Sequence, residues 1–526
     1  MTPPLHTERS LPRPVLKLTP KTWRPAKPAS EPVSLISPQC WQIAFLVGTA
    51  VGVVGFWNGV DATRILTMAV VYFILAAVCA IPAYWKVERD DLRWFSPAVL
   101  VSAAFAAFYI VGSIPPSLWA YDKMYVQNPG SYEYFPKAGL FAAACLLVFL
   151  IGYRAVASKG TTSRSIHTWD PARLSTCWWI YAILLVSITV GVELNLLPSA
   201  AVSFCDEFLP SGYVVLTVLA FAVRSTAKGR GLGPFPVQLA LAVVIPLMFF
   251  ILANHRFYSL AILVLILLLS RAGGASLKIH HYVLTIFSGL VVYLVVTLVV
   301  RPDQEDLDVP ASLGYKLKRL PQALNAVLSD KDYTKVAAST RVEADVSGRM
   351  AGLEIIAGMF AAEAGGRAAY LRGKCAEIGI LKMIPRAIWR SKPVFGDGTG
   401  WSEEDAVIQA FNLDERDQLT TPPVTLYGDG GWVISLGGML LLGACFSYLF
   451  SRSVSGPNRE RGRLLGLAYS FSLFMFFQRD CVGWVVHPLR NLVVVFLLVK
   501  FADALCSRRL RPGAVAKEIS GRSAGL

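Results

Sequence analysis

Residues 424–450 read VTLYGDGGWVISLGGMLLLGACFSYLF, with no charged side chain between Gly430 and Phe450. A helix rises about 1.5 Å per residue, so roughly 20 apolar residues cross the hydrocarbon core of a bilayer. This run is long enough to do so. Just ahead of it stand Tyr427 and Asp429, polar groups at the mouth of the span. Runs of this kind fill the chain: 54% of its 526 residues are hydrophobic and 16% are charged. The expected fold class is an all-α polytopic integral membrane protein.

Twelve spans are expected, at 40–57, 65–85, 94–114, 137–156, 175–196, 209–224, 235–254, 257–270, 282–300, 424–450, 464–479 and 488–505. Their flanking charges orient them, because Lys and Arg are retained on the cytoplasmic side. With residue 1 inside, the inner tails and short inner loops carry 28 of the 50 cations. The short outer loops carry six, namely Arg64, Lys123, Lys137, Arg256, Arg479 and Arg490, and the remaining 16 lie in 301–423. The expected organisation is therefore a basic, Pro-rich cytoplasmic tail (1–39), nine spans (40–300), one large periplasmic loop (301–423), three spans (424–505) and a cytoplasmic tail (506–526). The shortest spans are 209–224 and 257–270. Losing both would keep the orientation of everything after them, and losing one would invert it. The net charge of +15 is read as orientation, so no nucleic-acid partner is expected. No apolar segment precedes Trp41, so 1–39 does not read as a cleaved signal.

The large loop is nearly neutral, with 16 cations and 18 acids, and is too long for a bare connection. In GRMAGLEIIAGMFAAEAGG (348–366), Met350, Leu353, Ile356 and Phe360 recur at helical spacing. SLGYKLKRLPQALNAVL (312–328) mixes cations with spaced leucines and is interrupted by Pro321. Such helices either cap the outer ends of the spans or lie at the lipid interface.

Charges at the outer ends of spans are the informative ones, since ions near the bilayer usually pair or line a cavity. ANHRFYS places Arg256 in a tight outer hairpin. FFQRDCVGWVVHPLRNL surrounds another outer turn with Arg479, Asp480, His487 and Arg490, the last within the first turn of the final span. MIPRAIWRSKP (383–393) sets Arg386 and Arg390 four apart, on one face of any helix there, beside Trp389. Paired arginines suit phosphate because each guanidinium forms a planar donor fork. Asp429 is either a general base or an acid complementing a helix N-terminus, and Gly437 and Gly438 allow close helix packing. Arg479 and Asp480 read equally as a local ion pair. Asp306 and Asp308 form a short DxD in a solvated acidic loop. P-loop, GxSxG and HExxH patterns are absent.

MIPRAIWRSKP, followed some thirty residues later by TPPVTLYGDGGWVISLGGMLLLG, resembles the Wzy-type polymerases of O-antigen and exopolysaccharide repeat units. The lone outer Arg256 is also similar to that family. The chain departs from it where some relatives place an acid or amide just before the Tyr, since Thr425 and Leu426 stand here. The resemblance implies a GT-C-like membrane architecture in the bacterial inner membrane, with both termini cytoplasmic. It implies transfer of a growing glycan from undecaprenyl diphosphate to a hydroxyl of another lipid-linked repeat unit. Arg256, Arg386, Arg390, Arg479 and Arg490 would then grip the diphosphate, and His487, Asp429 and Asp480 are the candidates to take the hydroxyl proton. No cofactor and no metal are called for. The implied partners are the lipid-linked oligosaccharide, membrane lipid, a chain-length regulator and a flippase. An O-antigen ligase shares the topology and differs in acceptor. A transporter would need charges at mid-span and internal repeats, of which the sequence shows few and none respectively.

Overall fold

The structure is a computed structural model. It describes residues 38–85, 95–118, 130–157, 167–193, 196–197, 209, 212–223, 235–252, 265–266, 321, 352–384, 389, 391, 402–413, 421–454, 459–477 and 481–509. Almost all of these are helical. In chain order the elements are α1 (Pro38–Trp57), α2 (Ala62–Ala80), α3 (Pro97–Phe105), α4 (Ile114–Leu118), α5 (Phe135–Val156), β1 (His167–Trp169), α6 (Pro171–Glu193), α7 (Gly212–Val223) and α8 (Phe235–Leu252). They continue with α9 (Gly352–Ala364), α10 (Lys374–Met383), α11 (Glu403–Phe411), α12 (Pro422–Val454), α13 (Arg459–Met475), α14 (Cys481–Cys506) and β2 (Ser507–Arg509).

Six segments among the described residues are long and apolar enough to cross a membrane: Pro38–Trp57, Ala62–Tyr84, Tyr132–Val156, Ala172–Val192, Pro422–Val454 and Cys481–Phe501. The protein is therefore a membrane-embedded helical bundle. Shorter apolar helices stand at three more of the expected positions, Pro97–Val111, Gly212–Val223 and Leu464–Met475. The described residues of α7 are all buried and cover about 18 Å. The expected spans 257–270 and 282–300 lie outside the described residues, apart from 265–266.

The bundle is centred on α5 against α12, the most extensive helix pair. A Cβ on Gly443 would overlap the carbonyl oxygen of Phe149, and one on Gly152 would overlap that of Leu440. Each helix thus offers a glycine to the other's backbone, which is how helices approach closely in lipid. Among the described residues the expectation for Gly437 and Gly438 is not met: nothing comes within 4 Å of a Cβ on the first, and the nearest atoms to one on the second belong to Leu426 of its own helix. α3 passes into a π-helical turn, Ala106–Val111, where Gly112 N–H reaches back five residues to Ala107.

Two observations fix which elements share a face. Cys481, at the start of α14, donates its N–H to the Thr425 hydroxyl at the start of α12 (3.1 Å). α14 then runs 26 residues, about 39 Å, before β2. β2 pairs antiparallel with β1, His167 opposite Arg509. The segment after α5 and the segment after α14 therefore meet on one face, so an even number of crossings separates them. Both of the short expected spans fall in that interval; if the six other expected spans there cross, these two either both cross or both do not.

α9, α10 and α11 sit at the opposite face, packed on the starts of α5, α12 and α14. Leu353, Ile356 and Phe360 are fully buried, as are Ala357 and Met359. This part of the large loop is a buried helical cap and does not lie on lipid. Its first turn is seated on the π turn: Leu353 N–H donates to the Ser113 hydroxyl (3.2 Å), and Ser113 donates to the Phe108 carbonyl (3.0 Å). Lys382 and the buried Glu403 form an ion pair between α10 and α11. Met350, the 312–328 stretch apart from Pro321, and Asp306/Asp308 lie outside the described residues.

Candidate functional site

The cap is tied to the bundle where α12 breaks. Gly431 adopts φ +67°, a left-handed conformation that glycine alone takes without strain, and the helix kinks there. The amides of Leu371 and Arg372 donate to the carbonyls of Gly428 and Asp429 just before the kink, each at 2.9 Å. The Asp429 carboxylate accepts from the amides of Cys375 (2.9 Å) and Ala376 (3.2 Å). Those are the opening amides of α10, which a helix cannot satisfy internally, and a carboxylate there complements the positive end of the helix dipole. So Asp429 is buried and both its oxygens are engaged. Of the two roles weighed for it, it fills the helix-terminal one, toward α10 and not its own helix. α10 ends at Met383, where MIPRAIWRSKP begins, so Asp429 joins the two sequence motifs mechanically.

Beside this joint lies an acid that the sequence reading passed over. Glu363, in the last turn of α9, accepts from the Tyr427 hydroxyl (2.6 Å) at one carboxylate oxygen and from the Tyr370 hydroxyl (2.7 Å) at the other. Tyr427 is fully buried in an aromatic cluster with Phe141, Phe360 and Phe411, whose ring centroids lie 5.1–6.2 Å from its own. Tyr370 is 39% exposed, and its hydroxyl lies over Gly431, where a Cβ would come within 3.0 Å of it. Lys137 sets its ammonium 4.2 Å from the centre of the Phe360 ring. Burial alone would push the Glu363 carboxyl up. The two tyrosine hydrogen bonds and the Lys137 charge outweigh it, holding the group below the usual carboxylate range. Glu363 is therefore an ionised, partly exposed carboxylate at the cap face. Each of its oxygens has a lone pair left after the tyrosine bond.

A second cluster stands on α14. Arg490 donates to Nδ1 of His487 (2.9 Å), and the imidazole stacks on Phe476 with centroids 4.8 Å apart. With Nδ1 used as an acceptor, the neutral ring carries its proton on Nε2. The pair then presents a guanidinium and an imidazole N–H side by side, which suits an anion better than it suits taking a proton. α14 begins at Cys481, well before the expected start at 488. Arg490 accordingly stands nine residues into the helix, about 13 Å from its start, and not in its first turn. Both side chains are half-buried.

Arg256, Arg386, Arg390, Arg479 and Asp480 lie outside the described residues. Of the remaining expected site residues, Asp429 and the His487–Arg490 pair belong to elements joined at the cap through Thr425 and Cys481. Glu363, Tyr370 and Lys137 were missed as site residues. The available signal was the i, i+3 spacing of Phe360 and Glu363, which places the acid on the apolar side of α9. Compared with known protein families, curated proteins and solved structures, the chain matches none.

Proposed function

We propose that this protein is a membrane glycosyltransferase that joins lipid-diphosphate-linked oligosaccharide repeat units into a polysaccharide. The reading takes the twelve-span, GT-C-like architecture with the capped face periplasmic, in a bacterial inner membrane. The observation that carries it is the His487–Arg490 pair: two adjacent donors on the helix that starts under the cap, partly withdrawn from water. In the reaction, the hydroxyl oxygen of one repeat unit bonds to the anomeric carbon of another. The bond from that carbon to the diphosphate oxygen breaks, and the electron pair leaves with the diphosphate. The hydroxyl proton is lost to a base. Fixed donors stabilise the charge developing on the leaving oxygen, most effectively where water is excluded. Arg490 and the Nε2–H of His487 are suited to that work, with Arg256, Arg386, Arg390 and Arg479 as the further cations of the same reading. The cap would shield the donor from hydrolysis. A chain-length regulator and a flippase are the expected partners.

The test is the carbohydrate of a deletion strain, separated by size and complemented with wild type, Arg490→Ala, Arg256→Ala or Arg386→Ala. Loss of long polymer with single lipid-linked repeats accumulating is expected, and the arginine variants should fail to restore it at normal membrane levels. Long chains stalled on the carrier would mean a ligase. Repeat units trapped on the cytoplasmic side would mean a transporter, and the reading would fall.

A further inference from the structure

We infer that Glu363, with Tyr370 and Tyr427, forms a saccharide subsite that holds hydroxyls of the acceptor repeat unit. The inference rests on the proposed glycan transfer and names the part of the site that reading lacks. Diphosphate donors gather on α14, and a transferase also needs a place for the uncharged sugar that attacks. A neutral saccharide offers O–H donors and weakly apolar ring faces. It is recognised by fixed acceptors beside aromatic surface.

Three features of the Glu363 cluster fit that ligand. Its carboxylate is held at both oxygens, by Tyr427 at 2.6 Å and Tyr370 at 2.7 Å, so its orientation is set before any ligand arrives. One tyrosine is anchored in the aromatic core and the other is 39% exposed, so the acid is presented at the cap surface with a tyrosine ring next to it. The two tyrosine hydrogen bonds, aided by the charge of Lys137 in the first turn of α5, outweigh burial and hold the carboxyl below its usual range. The free lone pairs on Glu363 would accept from two sugar hydroxyls, as an ionised carboxylate commonly does. A purely structural clasp between α9 and α12 would use the same two tyrosines, so the experiment must separate the two roles.

The full chain in lipid nanodiscs is titrated with the free repeat-unit oligosaccharide, released from the carrier, and binding is read by saturation-transfer NMR. Wild type is expected to bind. Glu363→Gln keeps the length of the side chain and loses the charge; Glu363→Asp keeps the charge and shortens the reach. A charge-assisted hydrogen bond is worth enough that Glu363→Gln should weaken binding by about tenfold to a hundredfold. The subsite ranks Asp above Gln in binding. A clasp ranks Gln at least equal to Asp, in binding as in thermal stability. Wild-type affinity in Glu363→Gln, the clasp ranking, or no saccharide binding by wild type would each overturn the inference. Glu363-dependent binding together with unchanged polymer in the deletion strain would keep the subsite and sink the polymerase reading. Normal polymerisation by Glu363→Gln would do the reverse.

Discussion

Tyr427 donates its hydroxyl to Glu363 at 2.6 Å, joining residues 64 positions apart and fastening the broken end of α12 to the last turn of α9. The bond has one partner buried among aromatic rings and the other at the cap surface. Four residues on from Tyr427, α12 kinks at Gly431, where the exposed Tyr370 lies over the glycine and completes the clamp. The cap and the bundle are therefore one packed unit at this point.

The carboxyl of Glu363 is held below its ordinary range when folded. Its contribution to stability is complete above the unfolded carboxyl pKa, about 4.3, and is lost as the pH falls through the lower folded value. Glu363→Gln should therefore melt below wild type by a constant margin from about pH 7 to pH 5, and the margin should narrow below about pH 4. Melting curves of the protein in nanodiscs across that range check it. A margin that does not change with pH would mean the Glu363 charge has no folded-state partners.

Asp429→Ala should lower stability by about 0.5–2 kcal/mol, the usual cost of losing a side-chain acceptor at a helix start. Asp429→Asn keeps an acceptor oxygen and should retain most of that stability and most of the polymer made. A complementation assay read alongside the melt decides this. Folded Asp429→Asn protein that makes no polymer would restore Asp429 as a base and remove it as merely the cap of α10.

Gly443→Ala should destabilise the bundle by about 1–3 kcal/mol, because the added methyl meets the Phe149 backbone, which cannot swing aside. Gly437→Ala, with nothing within 4 Å of the new methyl, should be close to neutral. Fluorescence-detected size-exclusion after heating compares the two. Equal melting of the pair would refute the close approach of α5 and α12.

Much of the bundle was legible from apolar runs alone, since a run of such length has few homes but a membrane. α1, α2, α5, α6, α12 and α14 all stand where runs were read. Hydropathy does not encode where a polar-ended helix begins, so α14 starts at Cys481 and carries Arg490 deeper than the run suggested. Nor does it tell which glycines meet another backbone: Gly437 and Gly438 were as plausible as Gly443 until the facing helix was placed. The site was less legible for a similar reason. Asp429 was found by its position at a span, but its partners, Cys375 and Ala376, lie more than fifty residues away. Glu363 was hidden in an apolar helix, and only the fold brings Tyr370 and Tyr427 to it.

The two faces can be told apart chemically. Ala369→Cys, exposed in the cap, and Ala172→Cys, exposed at the start of α6 beside β1, should react with a membrane-impermeant thiol reagent from opposite sides of sealed vesicles. Both labelling from the same side would contradict the even count of crossings between β1 and β2.

The β1–β2 pair has a consequence for biosynthesis. Its second strand, Ser507–Arg509, follows the last helix, so the ribosome must have delivered α14 before the pair can form. His487 and Arg490 ride on that same helix, and its start is fastened to Thr425. The His487–Arg490 pair is thus the last of these elements to be put in place. On the proposed function, a nascent chain stopped short of α14 would already hold Glu363 and its tyrosines in sequence, yet would lack the His487–Arg490 pair. The order of translation would then leave unfinished copies in the membrane without that part of the proposed site.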